Sequence, residues 1–170
     1  MKKTILSLVL LLSVVAVKAQ QRYCFIDSRF ILEKITDYKD AQTKLDNLSK
    51  TWQDEIDSKM AEVERMYKGY QAEKPMLSDE MRNRRQDEIV AREKEAKDLQ
   101  KQRFGYEGDL FKKRQELVKP IQDKVYAAIQ QFAEDKGYEF VFDKGSASGM
   151  LYADKRNDKT EDIKTMLKKG

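Results

Sequence analysis

The sequence predicts an α+β protein: a long antiparallel coiled-coil helical hairpin projecting from a small β-rich oligomerisation body. Three observations point there. Apolar residues repeat at heptad spacing from about residue 37, a second apolar stripe follows a proline-marked stop, and short aromatic strand patterns stand near both ends of the chain.

The first nineteen residues are read as a removable export signal. Lys2 and Lys3 precede an uncharged run, "ILSLVLLLSVVAV", from Ile5 to Val17, and "VKA" ends at Ala19. Such a run is too short to cross a hydrocarbon layer of roughly 30 Å as a helix. Cleavage after Ala19 is expected. Cys24, inside "RYCFI", does not follow the small-residue box of a lipoprotein. The precursor has 34 basic residues, and losing Lys2, Lys3 and Lys18 leaves 31 against 30 acidic, a net charge of +1. Nucleic-acid binding, which needs a basic face to displace counterions, loses its support.

One cysteine cannot close an internal disulfide, and Cys24 reads as a small apolar strand residue. The chain has no histidine, no glycine-rich phosphate loop and no cysteine pair. Its carboxylates alternate with lysine and arginine along helices, as on solvated rods. No enzyme activity, cofactor or metal is expected.

"RYCFI" is read as the first strand and "RFILEKI" as a brief helical turn. From Thr36 or Asp37 a long helix begins, with its seam at Tyr38, Ala41, Leu45, Leu48, Trp52, Ile56, Met60, Val63, Tyr67 and Tyr70. The steps are heptad-like with a stutter near Ile56. Pro75 disfavours helix at Lys74, and Ser78 is a good N-cap followed by Asp79 and Glu80. A second helix is expected from Asp79 towards Val118. Folding back about Pro75–Leu77 pairs Ala41 with Leu110, Leu45 with Tyr106, Leu48 with Phe104, Trp52 with Leu99, Ile56 with Ala96, and Val63 with Ile89. Gly69 sits inside the first helix, and Gly105 and Gly108 inside the second; they are read either as tolerated surface glycines or as the mark of a bendable arm, with Gly105 and Gly108 as a pivot near its base.

Pro120 is expected to break or kink the chain after Lys119. "IQDKVYAAIQQFAEDK" is then an amphipathic helix ended by Gly137. "YEFVFD" reads as a strand, "KGSASG" as a turn, "MLYAD" as a strand pairing back, and "DKTEDIKTML" as a closing helix capped at Asp158 or Thr160. The division is residues 1–19 as signal, 20–36 with 119–170 as body, and 37–118 as hairpin with its tip near 75–78. About three strands make a thin core with exposed edges. Tyr23, Phe25, Phe140, Phe142 and Tyr152 supply apolar surface for contact between copies.

Two features stand out at the turn. Met60, Met66, Met76 and Met81 cluster there, and with Tyr67 and Tyr70 are candidates for contact with varied apolar partners. Filling of the seam is the alternative, above all for Met60 and Met81. Lys74, Arg82, Arg84 and Arg85 form a modest basic end suited to an anionic membrane surface or an acidic partner segment, against the alternative of a solvated face.

The order of export signal, "RYCFIDSRFILEKI", helical hairpin and "YEFVFDKGSASGMLYADKRNDKTEDIKTML" resembles the Skp/OmpH family of periplasmic chaperones, across essentially the whole mature chain. The final stretch carries the most specific part of the likeness. The resemblance implies a jellyfish-shaped homotrimer whose helical tentacles enclose a cavity. It implies ATP-independent holding of unfolded outer-membrane β-barrel proteins. It also implies a lipopolysaccharide contact, to which only Arg84 and Arg85 correspond. Members of that family are usually basic, so electrostatic capture by this near-neutral chain would be local. The alternative from another class is an exported coiled-coil scaffold or spacer that docks one folded partner.

Overall fold

A computed structural model describes residues 21–146 and 150–169. The expected signal segment, and residues 147–149 of the expected turn, lie outside them. The chain divides into two compact units: residues up to 34 together with those from 123 onward, and residues 35–122.

In the first unit, β1 (Tyr23–Ile26) is followed by helix α1 (Ser28–Glu33). Asp27 caps α1 by accepting a hydrogen bond from the Phe30 N–H at 2.9 Å. β1 pairs in parallel with β2 (Phe140–Asp143), in the register Tyr23 to Phe140 and Phe25 to Phe142. On its other edge β1 meets the segment before the closing helix α5 (Thr160–Lys169): Phe25 bridges Asp158, and the Lys159 N–H donates to the Phe25 carbonyl at 2.9 Å. Cys24, Ile26, Ile31 and Ile163 are buried in this unit, and α1 packs on α5. Asp158, one of the two positions expected to cap α5, lies just ahead of it and accepts from the Thr160 N–H at 3.0 Å.

The body differs from expectation in its strands. Among the described residues the sheet has two strands, and Met150–Asp154 is not one of them. The first strand of the chain occupies the place expected for "MLYAD". A parallel pair needs a long crossover, which the intervening helices provide.

The second unit is a helical hairpin. Helix α2 (Thr36–Glu73) has 38 residues, about 57 Å at ~1.5 Å per residue. A 3-10 turn (Lys74–Met76) carrying Pro75 in its first turn stops it. Ser78 then caps α3 (Asp79–Phe104), its Oγ accepting from the Met81 N–H at 3.3 Å.

The second arm is not one helix to Val118. α3 ends at Phe104, and α4 starts at Asp109 and continues to Lys136. Gly105 leaves the helix with ψ 176°, and Glu107 takes a left-handed φ of 54°. Pro120, the expected break, lies inside α4. Pro120 and Glu116, whose carbonyl loses a donor to the proline, are both exposed, so water can satisfy that oxygen.

The seam slips accordingly. Ala41, Leu45 and Val118 form a buried cluster with Tyr38, Leu110, Leu117 and Ile121 around it. Leu110 is where the sequence put it, but Tyr106, expected against Leu45, is 97% exposed. Trp52, expected against Leu99, meets Phe104 edge-on at 6.4 Å. Towards the turn, Ile56, Ala96, Ile89 and Tyr70 are buried.

Candidate functional site

Two surfaces hold side chains that neither unit uses internally. The first surrounds the hairpin turn. Because Pro75 forces a tight 3-10 reversal, the residues on either side have little opposite them. Met76 is 81% exposed, Tyr67 53% and Met81 52%. Met60 and Met66 are partly covered. Tyr70, read both as a seam residue and as a candidate for this surface, is 4% exposed and belongs to the seam, with the Lys74 ammonium over its ring at 5.9 Å. Met81, for which seam filling was the alternative, faces outwards, about two turns ahead of the first well-buried α3 residue, Ile89.

The basic groups at the turn are largely compensated. Arg82 donates to Asp79 Oδ1 at 3.0 Å and to the Lys74 carbonyl at 3.1 Å. Arg84 donates to Glu80 at 3.0 Å. Arg85 lies 3.7 Å from Glu73 across the hairpin and 3.9 Å from Glu88. These pairs are open to water, so each is worth about 0–1 kcal/mol and exchanges easily. The turn is therefore an apolar surface among paired charges rather than a bare cationic patch.

The second surface is one face of the two-stranded sheet. Alternation puts Tyr23, Phe25, Phe140 and Phe142 on that face. Phe25 is 5% exposed, with the Lys144 ammonium over its ring at 5.5 Å, so it serves the interior. Tyr23, Phe140 and Phe142 are about half exposed and contact each other: Tyr23 edge-on to Phe142, and Phe140 stacked on Phe142, each at 6.4 Å between centroids. Leu151 and Tyr152 add 100% and 84% exposed side chains to this unit. Parallel sheets are ordinarily covered on both faces.

Gly105 and Gly108 fall in the α3–α4 break, as described above. Neither accepts a side chain there: an added Cβ would lie 2.3 Å from the Lys101 carbonyl oxygen at Gly105, and 2.8 Å from that of Gln102 at Gly108. Arg103, which the sequence did not single out, spans this break. It donates to Asp109 at 2.7 Å and approaches Glu55 at 3.7 Å. Its spacing to Asp109, read with Gly105 and Gly108 between them, was the available signal.

Chemistry is sparse elsewhere. Among the described residues no group of histidine, cysteine, aspartate or glutamate side chains is placed to hold a metal. No described helix is long and apolar enough to cross a membrane. A cavity of about 380 Å³ is lined by Asp27, Phe30, Lys144, Lys155, Asp158, Thr160 and Glu161, where Lys144 pairs with Asp158 at 2.8 Å. Cys24 is fully buried, and burial pushes its thiol pKa up despite the opposing charge of Lys159.

The family profile described as "Outer membrane protein (OmpH-like)" matches residues 22–167. No curated protein matches the chain. Among solved structures, a Caulobacter crescentus protein described as a candidate outer membrane chaperone (OmpH-like) superposes with a TM-score of 0.68 at 13% identity, covering 88% of this chain and 85% of that one. At that identity the likeness is one of fold.

Proposed function

Because the chain belongs to the OmpH-like outer membrane protein family, we propose that it is an ATP-independent holdase chaperone of the periplasm, reached through a signal cleaved after Ala19. It keeps unfolded outer-membrane β-barrel proteins from aggregating, and the helical hairpins of a homotrimer shelter the client between them. The observation that carries this reading is the hairpin turn, where Tyr67, Met76 and Met81 stay more than half exposed among mutually paired charges. A client that must stay unfolded is best held by weak, adaptable apolar contacts, and methionine supplies them without fixed geometry.

Assembly is supported by the aromatic face of Tyr23, Phe140 and Phe142 and by Leu151 and Tyr152, whose exposure in one copy gives a second copy something to bury. The break around Gly105 and Gly108 serves as the pivot by which the hairpins adjust to clients of different size. Lys74, Arg82, Arg84 and Arg85 meet an anionic membrane surface or lipopolysaccharide by exchanging their weak internal pairs for phosphate. Catalysis, a cofactor and nucleic acid have no part in this activity.

The test is to dilute a urea-unfolded β-barrel protein into the purified mature chain and follow light scattering. Suppressed aggregation without nucleotide is expected. No suppression, together with tight binding to one folded envelope protein, would establish the scaffold alternative instead.

A further inference from the structure

We propose that Met76 and Met81 form an oxidation-sensitive site at the hairpin turn, through which hydroperoxides switch off apolar capture. The proposal rests on the chaperone reading above for its consequence, but not for its chemistry. An exported protein meets oxidants directly, and three kinds of side chain usually take them up: thiolates, thioethers and indole.

This chain hides two of the three. Cys24 is 0% exposed, and burial keeps its thiol protonated and unreactive. Trp52 is partly buried beneath the Arg103 guanidinium, 4.8 Å from its ring centroid. The thioethers are graded. Met76 is 81% exposed and Met81 52%, whereas Met60, Met66, Met150 and Met166 are partly covered. The two open sulfurs flank Leu77, a redox-inert apolar residue that is itself partly covered. The reactive side chains of the turn are thus also those left in water to make contacts.

The step is an oxygen-atom transfer. A sulfur lone pair attacks the distal peroxide oxygen, an S–O bond forms and the O–O bond breaks. The sulfur loses two electrons to become a sulfoxide, and hydrogen peroxide is reduced to water. A flexible apolar thioether becomes a polar acceptor, which costs it its affinity for apolar segments. Methionine sulfoxide reductases reverse the change, so the site is a switch and not merely a lesion.

The experiment treats the purified mature protein with graded hydrogen peroxide, maps added oxygen by peptide mass spectrometry, and measures client aggregation on the same samples. Oxygen should appear first on Met76 and Met81, with Cys24 still a thiol. Holding should be lost in step and return after treatment with both methionine sulfoxide reductases, whereas M76L/M81L, whatever its untreated level of holding, should lose a far smaller fraction of that level on the same peroxide treatment. First oxidation elsewhere, unchanged holding with both sulfoxides present, or equal loss in M76L/M81L would overturn the switch. Failure of the untreated protein to hold a client would overturn the chaperone reading instead, while the order of oxidation still tests the site.

Discussion

The guanidinium of Arg103 lies 4.8 Å from the centre of the Trp52 ring while also donating to Asp109 at 2.7 Å. One side chain thereby ties α2 to the end of α3 and to the start of α4. Its Nε is buried with no hydrogen-bond partner among the described residues, and its side chain is 24% exposed. Orienting the planar group over the indole leaves that N–H without an acceptor.

Arg103→Ala should therefore loosen the break, leaving Asp109 partly covered and without its strongest donor. A local loss of about 1–3 kcal/mol is expected. Arg103→Lys should recover only part of it, since an ammonium cannot stack and donate in the same plane. Hydrogen exchange of amides 103–112 reads the change. Exchange as slow as in the parent would show that the glycines alone set the break.

Alanine at Gly105 or Gly108 should be costly for a reason the sequence did not suggest. Interior-helix propensity predicts a gain from alanine, but the added Cβ would sit 2.3 Å from the Lys101 oxygen or 2.8 Å from that of Gln102. The break must shift, at roughly 1–3 kcal/mol. Helical circular dichroism and holding of large against small clients would report it. Equal holding of both sizes by a stable double variant would remove the pivot.

Acid should release the sheet of the first unit. Burial pushes the Asp143 carboxyl up, but hydrogen bonds from the Ser28 Oγ–H and N–H, Ser146 and Gly145 outweigh it, so its pKa is lowered. Asp158 is likewise raised by burial and lowered further by Lys144 and Thr160. With folded pKa values below the ordinary 3.8, their contribution is whole above 3.8 and is lost as pH falls through the folded values. Amides 24–28 and 144–145 should lose exchange protection below that point, and Asp143→Asn should lose it already at neutral pH. A pH-independent pattern in the parent would count against this coupling.

Contacts at the turn should act together. Single replacements of Tyr67, Met76 or Met81 by serine should weaken client holding slightly, and the triple variant strongly, without loss of helix. Tyr23→Ser with Phe142→Ser should instead lower the molecular mass found by light scattering. A single turn variant that abolishes holding would point to one specific docking contact.

How far the sequence could be read follows the range of each signal. α2 and its stop were legible because heptad spacing, Pro75 and Ser78 are local and agree. α5 was legible from "TEDIKTML" and the capping candidates Asp158 and Thr160 at its start. The break at Gly105–Gly108 was not placed, because isolated glycines between strong helix formers also occur in uninterrupted helices; a left-handed Glu107 leaves no mark in composition. Pro120 misled in the opposite sense, since whether a proline ends a helix depends on whether the orphaned carbonyl faces water. "MLYAD" has strand composition, yet pairing is a long-range choice, and β1 takes the place beside β2. At the turn, exposure of Met76 was readable from its distance to the seam, whereas the parting of two seam residues, Tyr70 buried and Tyr67 exposed, and the arginine pairs needed coordinates.

The union of Tyr23–Ile26 with Phe140–Asp143 also sets an order of events as the chain is made. Arg22 donates to the Lys136 carbonyl 114 residues away, and Ser28 to Asp143 115 residues away. A chain that emerges amino end first must keep "YCFI" waiting, unzipped and sticky, until nearly everything else has been added. The α2–α3 pair closes through nearby contacts and needs no such delay. A chain cut short before residue 140 would carry a finished hairpin and a permanently orphaned ribbon.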